Sequence, residues 1–297
     1  MLQFLPAPLK GVLAFLMLSV NVLFWFVLLI AVALPKLLLP IARVRTVMDR
    51  LLSLIGEGWI SGNGVWMRMT QETKWEVEGV DALESHGWYL VVSNHQSWAD
   101  IFVLQRVLNR RIPLLKFFLK RELLWVPVMG LAWWALDFPF LKRHGSDVLA
   151  LHPEKRGQDV QTTRQACRRF ARTPTSVMNF PEGTRYSADK HQQQASPYRN
   201  LLRPKVGGIA LSVRALGERF ESLIDVTIVY PSGAPTFWEF LSGRVPRTIV
   251  KVRSLPIPKE LMQGDYDLDQ ELRAKFRDWV QAFWAEKDRT IDVLKQI

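Results

Sequence analysis

The chain has 297 residues, 48% of them hydrophobic and 23% charged, with 39 Lys+Arg against 28 Asp+Glu for a formal net charge of +11. That balance excludes a disordered chain, and the lone Cys167 excludes an intrachain disulfide framework or a multi-cysteine zinc site. The cationic excess implies an anionic partner, which a nucleic acid, a membrane surface or a phosphorylated substrate would each satisfy.

Residues 11–35 carry no charge over 25 positions, and 13–34 are mostly Leu, Val, Phe and Ala. A helix of roughly 20 such residues crosses a hydrocarbon core. The apolar region of a secretory signal is shorter, about 7–15 residues, so the stretch reads as an uncleaved anchor. Lys10 precedes it, while Lys36, Arg43, Arg45 and Arg50 follow, offset by Asp49. This asymmetry places the downstream body on the cytoplasmic side. Residues 37–69 form a second helical segment whose arginines and Trp66 suit an interface. A spanning helix and a helical pair embedded in one leaflet both fit, and Gly56, Gly58, Gly62 and Gly64 weaken the second helix as a continuous one. Residues 1–70 are thus expected to anchor the chain.

Residues 71–297 have the texture of an α/β domain. Strand-like runs at 74–77, 88–93, 175–180, 224–230 and 248–255 alternate with helical patterns near 99–109, 159–172, 205–216 and 266–293. The alternation predicts a mixed sheet flanked by helices. Residues 191–196 read as a polar loop.

Functional residues in such sheets follow the carboxyl ends of strands. One apolar strand runs into Asn94-His95-Gln96-Ser97-Trp98-Ala99-Asp100. If His95 lies in the turn before a helix, Asp100 can fold back onto its ring. A carboxylate on one imidazole nitrogen fixes the tautomer and leaves the other as a general base. On that spacing alone a capping His and a first-turn Asp is the favoured reading. A second strand ends in Phe180-Pro181-Glu182-Gly183-Thr184-Arg185. Gly183 permits a bend, and Arg185 can hold a phosphate in bidentate geometry, although a surface Glu–Arg turn has the same composition.

Together these blocks resemble those of the glycerophospholipid acyltransferases, the family that includes the lysophosphatidic acid acyltransferases. Phe140-Leu141-Lys142-Arg143 is similar to a further block of that family, and Val226-Thr227-Ile228-Val229-Tyr230-Pro231 to its last, all four in the family's order. One position departs: Asp137 stands where the second block, that of Phe140–Arg143, usually carries glycine, so the acceptor is less defined than the reaction. The lead-in Trp133-Trp134-Ala135-Leu136-Asp137-Phe138 resembles a bacterial subgroup near the lysophosphatidylinositol and lysocardiolipin acyltransferases.

The resemblance implies an O-acyltransferase in which His95 deprotonates an acceptor hydroxyl that attacks the thioester of acyl-CoA or acyl carrier protein, with Asp100 orienting His95. It implies that Arg185, Arg143 and Lys116 hold the acceptor phosphate, and that Glu182, Gly183 and Thr184 shape the loop around it. The acceptor so implied is a lysophospholipid, 1-acyl-glycerol-3-phosphate first, then lysophosphatidylinositol, lysophosphatidylglycerol or lysocardiolipin. The place implied is a bacterial inner membrane, with the catalytic domain facing the cytoplasm and phospholipids around the anchor. No resident cofactor or metal is called for, since no His/Asp/Glu cluster has ligand spacing. The substrate supplies the nucleophile, in keeping with the lack of a G-x-S-x-G elbow. Cys167 reads as a structural residue. The cations Arg106, Arg110, Arg111, Lys116, Lys120 and Arg121 are interleaved with Leu and Phe, which suits lipid better than nucleic acid. A non-catalytic basic membrane scaffold would keep the anchor but has no need of His95, Asp100 and Arg185 together.

Overall fold

The apolar N-terminal stretch forms α1 (Ala7–Leu38), which turns back into α2 (Ala42–Thr70). The computed structural model describes residues 2, 4–39, 41–141, 173–263, 266 and 269–296; Arg143, Cys167 and the helix expected at 159–172 lie outside them. The two helices run antiparallel, and α2 is continuous through its glycines. Those glycines have a packing cause. A Cβ on Gly58 would meet the Trp25 ring at 2.4 Å, and one on Gly62 would meet Asn21 Oδ1 at 2.0 Å. The notch lets Asn21 Nδ2 donate to Trp59 O and Asn63 Oδ1, both at 3.0 Å, which satisfies the one strongly polar side chain of the apolar run.

The rest of the chain builds β1 (Lys74–Glu78), β2 (Tyr89–Ser93), α3 (Ala99–Leu108), β3 (Leu115–Phe117) and β4 (Leu119–Lys120). It continues with α4 (Met129–Ala135), β5 (Phe140–Leu141), β6 (Ser176–Asn179), α5 (Ala188–Gln193) and α6 (Val206–Leu216). Last come β7 (Ser222–Val229), α7 (Phe237–Leu241), β8 (Arg247–Leu255) and α8 (Gln270–Gln296). The main sheet has the order β1-β8-β7-β2-β6-β3, and β4 pairs with β5 apart from it. Its pairs are parallel except β7 with β8. It is the mixed, helix-flanked sheet that the alternation predicted.

Each sheet face buries a separate cluster. Residues of α6 and α8, among them Ile209, Val213, Phe276 and Trp284, cover one face. The other meets α3, Trp66 of α2 and α7. A third cluster joins Leu29 of α1, Leu52 of α2, Leu114 and Ala132 of α4. Every residue of β2 is buried, as expected of a central parallel strand. Two local expectations differ from the structure. β3 was not foreseen, because three residues inside a basic segment are too few for a readable alternation. Residues 191–193, assigned to a loop, instead finish α5, whose first turn is capped by the Ser187 side chain.

Candidate active site

β2 and β6 are adjacent and parallel, with Val92 opposite Asn179, so the two motif-bearing segments leave the sheet side by side at its carboxyl edge. Asn94 fixes the first departure: its Nδ2 donates to Ile228 O at 2.8 Å, and Ile228 N donates to its Oδ1 at 2.9 Å. The side-chain amide thereby extends the β7 edge as a further peptide would. The next residue, His95, sits in the turn before α3.

Asp100, in the first turn of α3 and without solvent exposure, folds back over that turn. Its Oδ2 lies 2.9 Å from His95 Nδ1 and accepts from Gln96 N at 2.6 Å and Ser97 N at 2.9 Å. Its Oδ1 accepts from the Tyr230 hydroxyl at 2.7 Å. Burial, and then the Asp100 charge, push the Tyr230 phenol well above its ordinary range, so it remains a donor. An ionised Asp100 takes the Nδ1 proton side of the imidazole, which leaves Nε2 as the basic nitrogen. The ring stacks on Phe180 with centroids 4.0 Å apart, and its side chain keeps 13% exposure, enough for a reactant to reach it.

The second segment is tied to the first through Glu182, which is fully buried. Its Oε1 accepts from His95 N at 2.8 Å and its Oε2 from Leu202 N at 3.1 Å, so the carboxylate holds backbone and points inward. Tyr186 N also donates to His95 O at 2.7 Å. Burial raises the Glu182 carboxyl to about 7, against the pull of those two N–H groups. Gly183 follows at φ +67, a left-handed conformation that favours glycine, and a Cβ there would stand 3.1 Å from Lys205. Thr184 Oγ1 accepts from Lys190 Nζ at 2.8 Å. Arg185 is exposed, its guanidinium 5.1 Å from the Trp98 ring centroid, close to the His95 turn.

His95, Asp100, Glu182, Gly183, Thr184 and Arg185 therefore gather in one place. Lys116 stands apart, only 7% exposed on β3, where burial brings its ammonium down to about 8. Among the described residues no group of three His, Cys, Asp or Glu could hold a metal ion. Sequence reasoning gave no role to Tyr230, Trp98 or Lys190. Tyr230 meets Asp100 across 130 positions, and only the β7–β2 pairing makes that meeting visible.

The acyltransferase family profile matches residues 74–231, from the start of β1 to just past β7. The chain belongs to the acyltransferase family. It is 25% identical to the 2-acyl-1-lysophosphatidylinositol acyltransferase of Saccharomyces cerevisiae, over 68% of this chain and 60% of the yeast protein. It is 26% identical to lysocardiolipin acyltransferase 1 of Danio rerio, over 95% of this chain and 70% of that one. To the 1-acyl-sn-glycerol-3-phosphate acyltransferase gamma of Mus musculus it is 26% identical, over 70% and 53% respectively. The chain thus spans about six tenths of the yeast relative's length and about half of the mouse one's. The crystal structure of the 1-acyl-sn-glycerophosphate (LPA) acyltransferase PlsC from Thermotoga maritima has the same fold, with a TM-score of 0.53 over 97% of this chain and 98% of that one, at 17% identity.

Proposed function

We propose that the protein transfers an acyl group from a thioester, acyl-CoA or acyl carrier protein, to the free hydroxyl of a lysophospholipid. The observation that carries the reading is the His95–Asp100 pair, whose imidazole keeps 13% exposure beside the Arg185 loop. Nε2 takes the acceptor's hydroxyl proton as its oxygen attacks the thioester carbonyl. The tetrahedral intermediate then collapses, the C–S bond breaks, and the departing thiolate receives the proton from the imidazolium. Asp100 stabilises that imidazolium and holds its orientation. Arg185 supplies a cation for the acceptor phosphate, with Arg143 in the same role, and Glu182, Gly183 and Thr184 set the loop's shape. The simplest acceptor these groups require is 1-acyl-glycerol-3-phosphate.

Residues 1–70 form the membrane attachment in this reading, with residues 71–297 as the catalytic domain on the cytoplasmic face of an inner membrane. α1 is long and apolar enough to cross a bilayer. Yet both of its ends meet the rest of the chain, which favours the one-leaflet arrangement over a spanning helix.

The test is transfer of labelled acyl groups to lysophosphatidic acid, lysophosphatidylinositol and lysophosphatidylglycerol by purified protein. Wild type should turn over at least one of them, and His95→Ala should lose at least ~100-fold, the lower range of a general base's contribution. Equal rates for the two proteins would remove His95 from the chemistry.

A further inference from the structure

Residues 123–136 carry no charge over 14 positions, directly after Lys120, Arg121 and Glu122. They belong to an excursion that leaves at the end of β4 and returns at β5, two short strands that pair with each other. A 3-10 turn over Arg121–Trp125 leads into a tip, Val126-Pro127-Val128, and α4 brings the chain back. An apolar run in a folded domain turns its large side chains inward as a rule. Here the largest points out: Trp125 is 81% exposed, and Val126, Leu131 and Trp134 are exposed with it.

The backbone holds this tip in one shape. Val126 N donates to Leu123 O at 3.2 Å, Met129 N to Pro127 O at 2.7 Å and Gly130 N to Val126 O at 2.8 Å. Glycine is needed at 130 for the closure, because a Cβ there would lie 2.0 Å from Leu124 O. Val128 adopts φ +65, a left-handed conformation that a β-branched residue takes only where its surroundings impose it. A strained, hydrogen-bonded turn that presents a tryptophan to water draws no stability from that ring, and exposed apolar surface of this kind marks a contact. On the inner side, Ala132 and Ala135 pack with Leu29 and Ala33 of α1. Trp134 borders the same cleft as Ala33 and Leu37, so the exposed surface of α4 continues into that of the apolar helix.

We propose that the Trp125–Val128 tip is a second lipid-contacting element, outside residues 1–70, which enters the same phospholipid bilayer as α1. Three observations select lipid as the occupant. The surface is continuous with a helix long and apolar enough to cross a membrane. Its cations are confined to the base, where Lys120 and Arg121, both exposed, stand at the level of headgroup phosphates once the tip is inserted. Tryptophan suits that boundary, with an apolar ring for the acyl region and an N–H for the headgroups. Insertion at two points also has a mechanical result. It fixes the rotation of the domain about the α1 axis, which one helix alone would leave free.

The experiment places single cysteines by Trp125→Cys, Val126→Cys and Lys275→Cys in a full-length Cys167→Ser background, each labelled with an environment-sensitive fluorophore. Val126→Cys keeps the Trp125 ring in place. Lys275 is the reference, exposed on α8, which covers the sheet face opposite to that of α2, α3 and α7. The proteins are reconstituted into vesicles of phosphatidylethanolamine and phosphatidylglycerol that carry a lipid nitroxide near the top of the acyl chain. The labels at 125 and 126 should be quenched at least ~2-fold more strongly than the one at 275, as insertion to the headgroup–acyl boundary requires. Aqueous iodide should quench the label at 275 and spare the other two. If neither tip label exceeds the reference in nitroxide quenching, the proposal is overturned. Tip labels shielded from iodide yet untouched by the nitroxide would make the tip an interface between two copies of the chain, which overturns it as well. The readout involves no acyl transfer, so its failure and that of the acyltransferase reading are separate results.

Discussion

Asp100 is held by four groups, each of which favours its anion: two backbone N–H donors, the imidazole and the Tyr230 phenol. The phenol is the only partner of Oδ1 in that set, and Tyr230 is 3% exposed. Tyr230→Phe keeps the ring and its packing but leaves a carboxylate oxygen dry and without its donor, a loss of about 1.5–3 kcal/mol for a hydrogen bond to a charged group. Without that donor the Asp100 carboxylate pulls harder on the proton at His95 Nδ1. We expect kcat to fall about tenfold with KM near wild type, and the acidic limb of the pH–rate profile to move to higher pH. A profile of unchanged shape would mean that Tyr230 serves packing alone. The sequence shows His95 and Asp100 five positions apart, and reading His95 as a turn residue suffices to bring them together. It places Tyr230 in the last block but gives no sign of its contact with Asp100, because contacts across 130 positions depend on which strands are neighbours. Lys116 illustrates a different limit: the resemblance implies a cation there, but the direction its side chain takes depends on β3, too short to be read.

The loop 180–185 is held as an element rather than residue by residue, because Glu182 spans from the His95 turn to Leu202 and closes the gap between β2 and β6. Its raised carboxyl, about 7 when folded against 4.5 as the ordinary value, has a consequence for stability. The folded state binds the proton more tightly than the unfolded chain does. Stability from this group is therefore present below about pH 4.5 and is lost as pH rises to about 7, by up to about 3 kcal/mol, and is flat beyond. Glu182→Gln removes the titration and turns an amide N–H onto one of the two backbone donors. Unfolding followed from pH 4.5 to 7.5 should show the wild-type advantage over Glu182→Gln shrinking across that window; parallel curves would place the pH dependence elsewhere. Elements were legible where the pattern was long: all five strand-like runs became strands, and the C-terminal helix was anticipated. What decides their fit was not. Lys287 of α8 is fully buried, 2.6 Å from Asp225 Oδ1 and from Val226 O on β7, whereas an isolated lysine in a helical pattern reads as a solvated face. The α2 glycines misled for a similar reason, since composition records a helix breaker where the fold uses the missing side chains to admit Trp25 and Asn21.

At the scale of the whole molecule, α1 has a length of about 48 Å for its 32 residues, well beyond the roughly 30 Å of a hydrocarbon core. Its exposed side chains, among them Phe15, Leu16, Val20, Leu23, Phe24 and Val27, form one stripe, while the opposite side rests on α2. Its two ends are fastened. Near the start, Leu2 N donates to Met69 O at 2.9 Å, and Gly11 sits so close to Trp238 of α7 that a Cβ would lie 2.8 Å from its ring. At the end, Lys36 pairs with Asp49 and Asp137. A helix that crosses a bilayer separates its ends by the full membrane, which a domain on one side cannot grip at both. The stripe is instead suited to lie in one leaflet, with Arg43, Arg45 and Arg50 at the headgroups, an arrangement that would give a share of the +11 net charge an anionic partner. Cysteines placed at positions 4 and 39, in a Cys167→Ser background, would report this directly in sealed vesicles carrying the protein on their outer face. Both should react with an impermeant maleimide before any detergent is added. If either site is labelled only after the vesicles are opened, α1 spans the bilayer, and its contacts with Trp238 and Asp137 do not persist in the membrane.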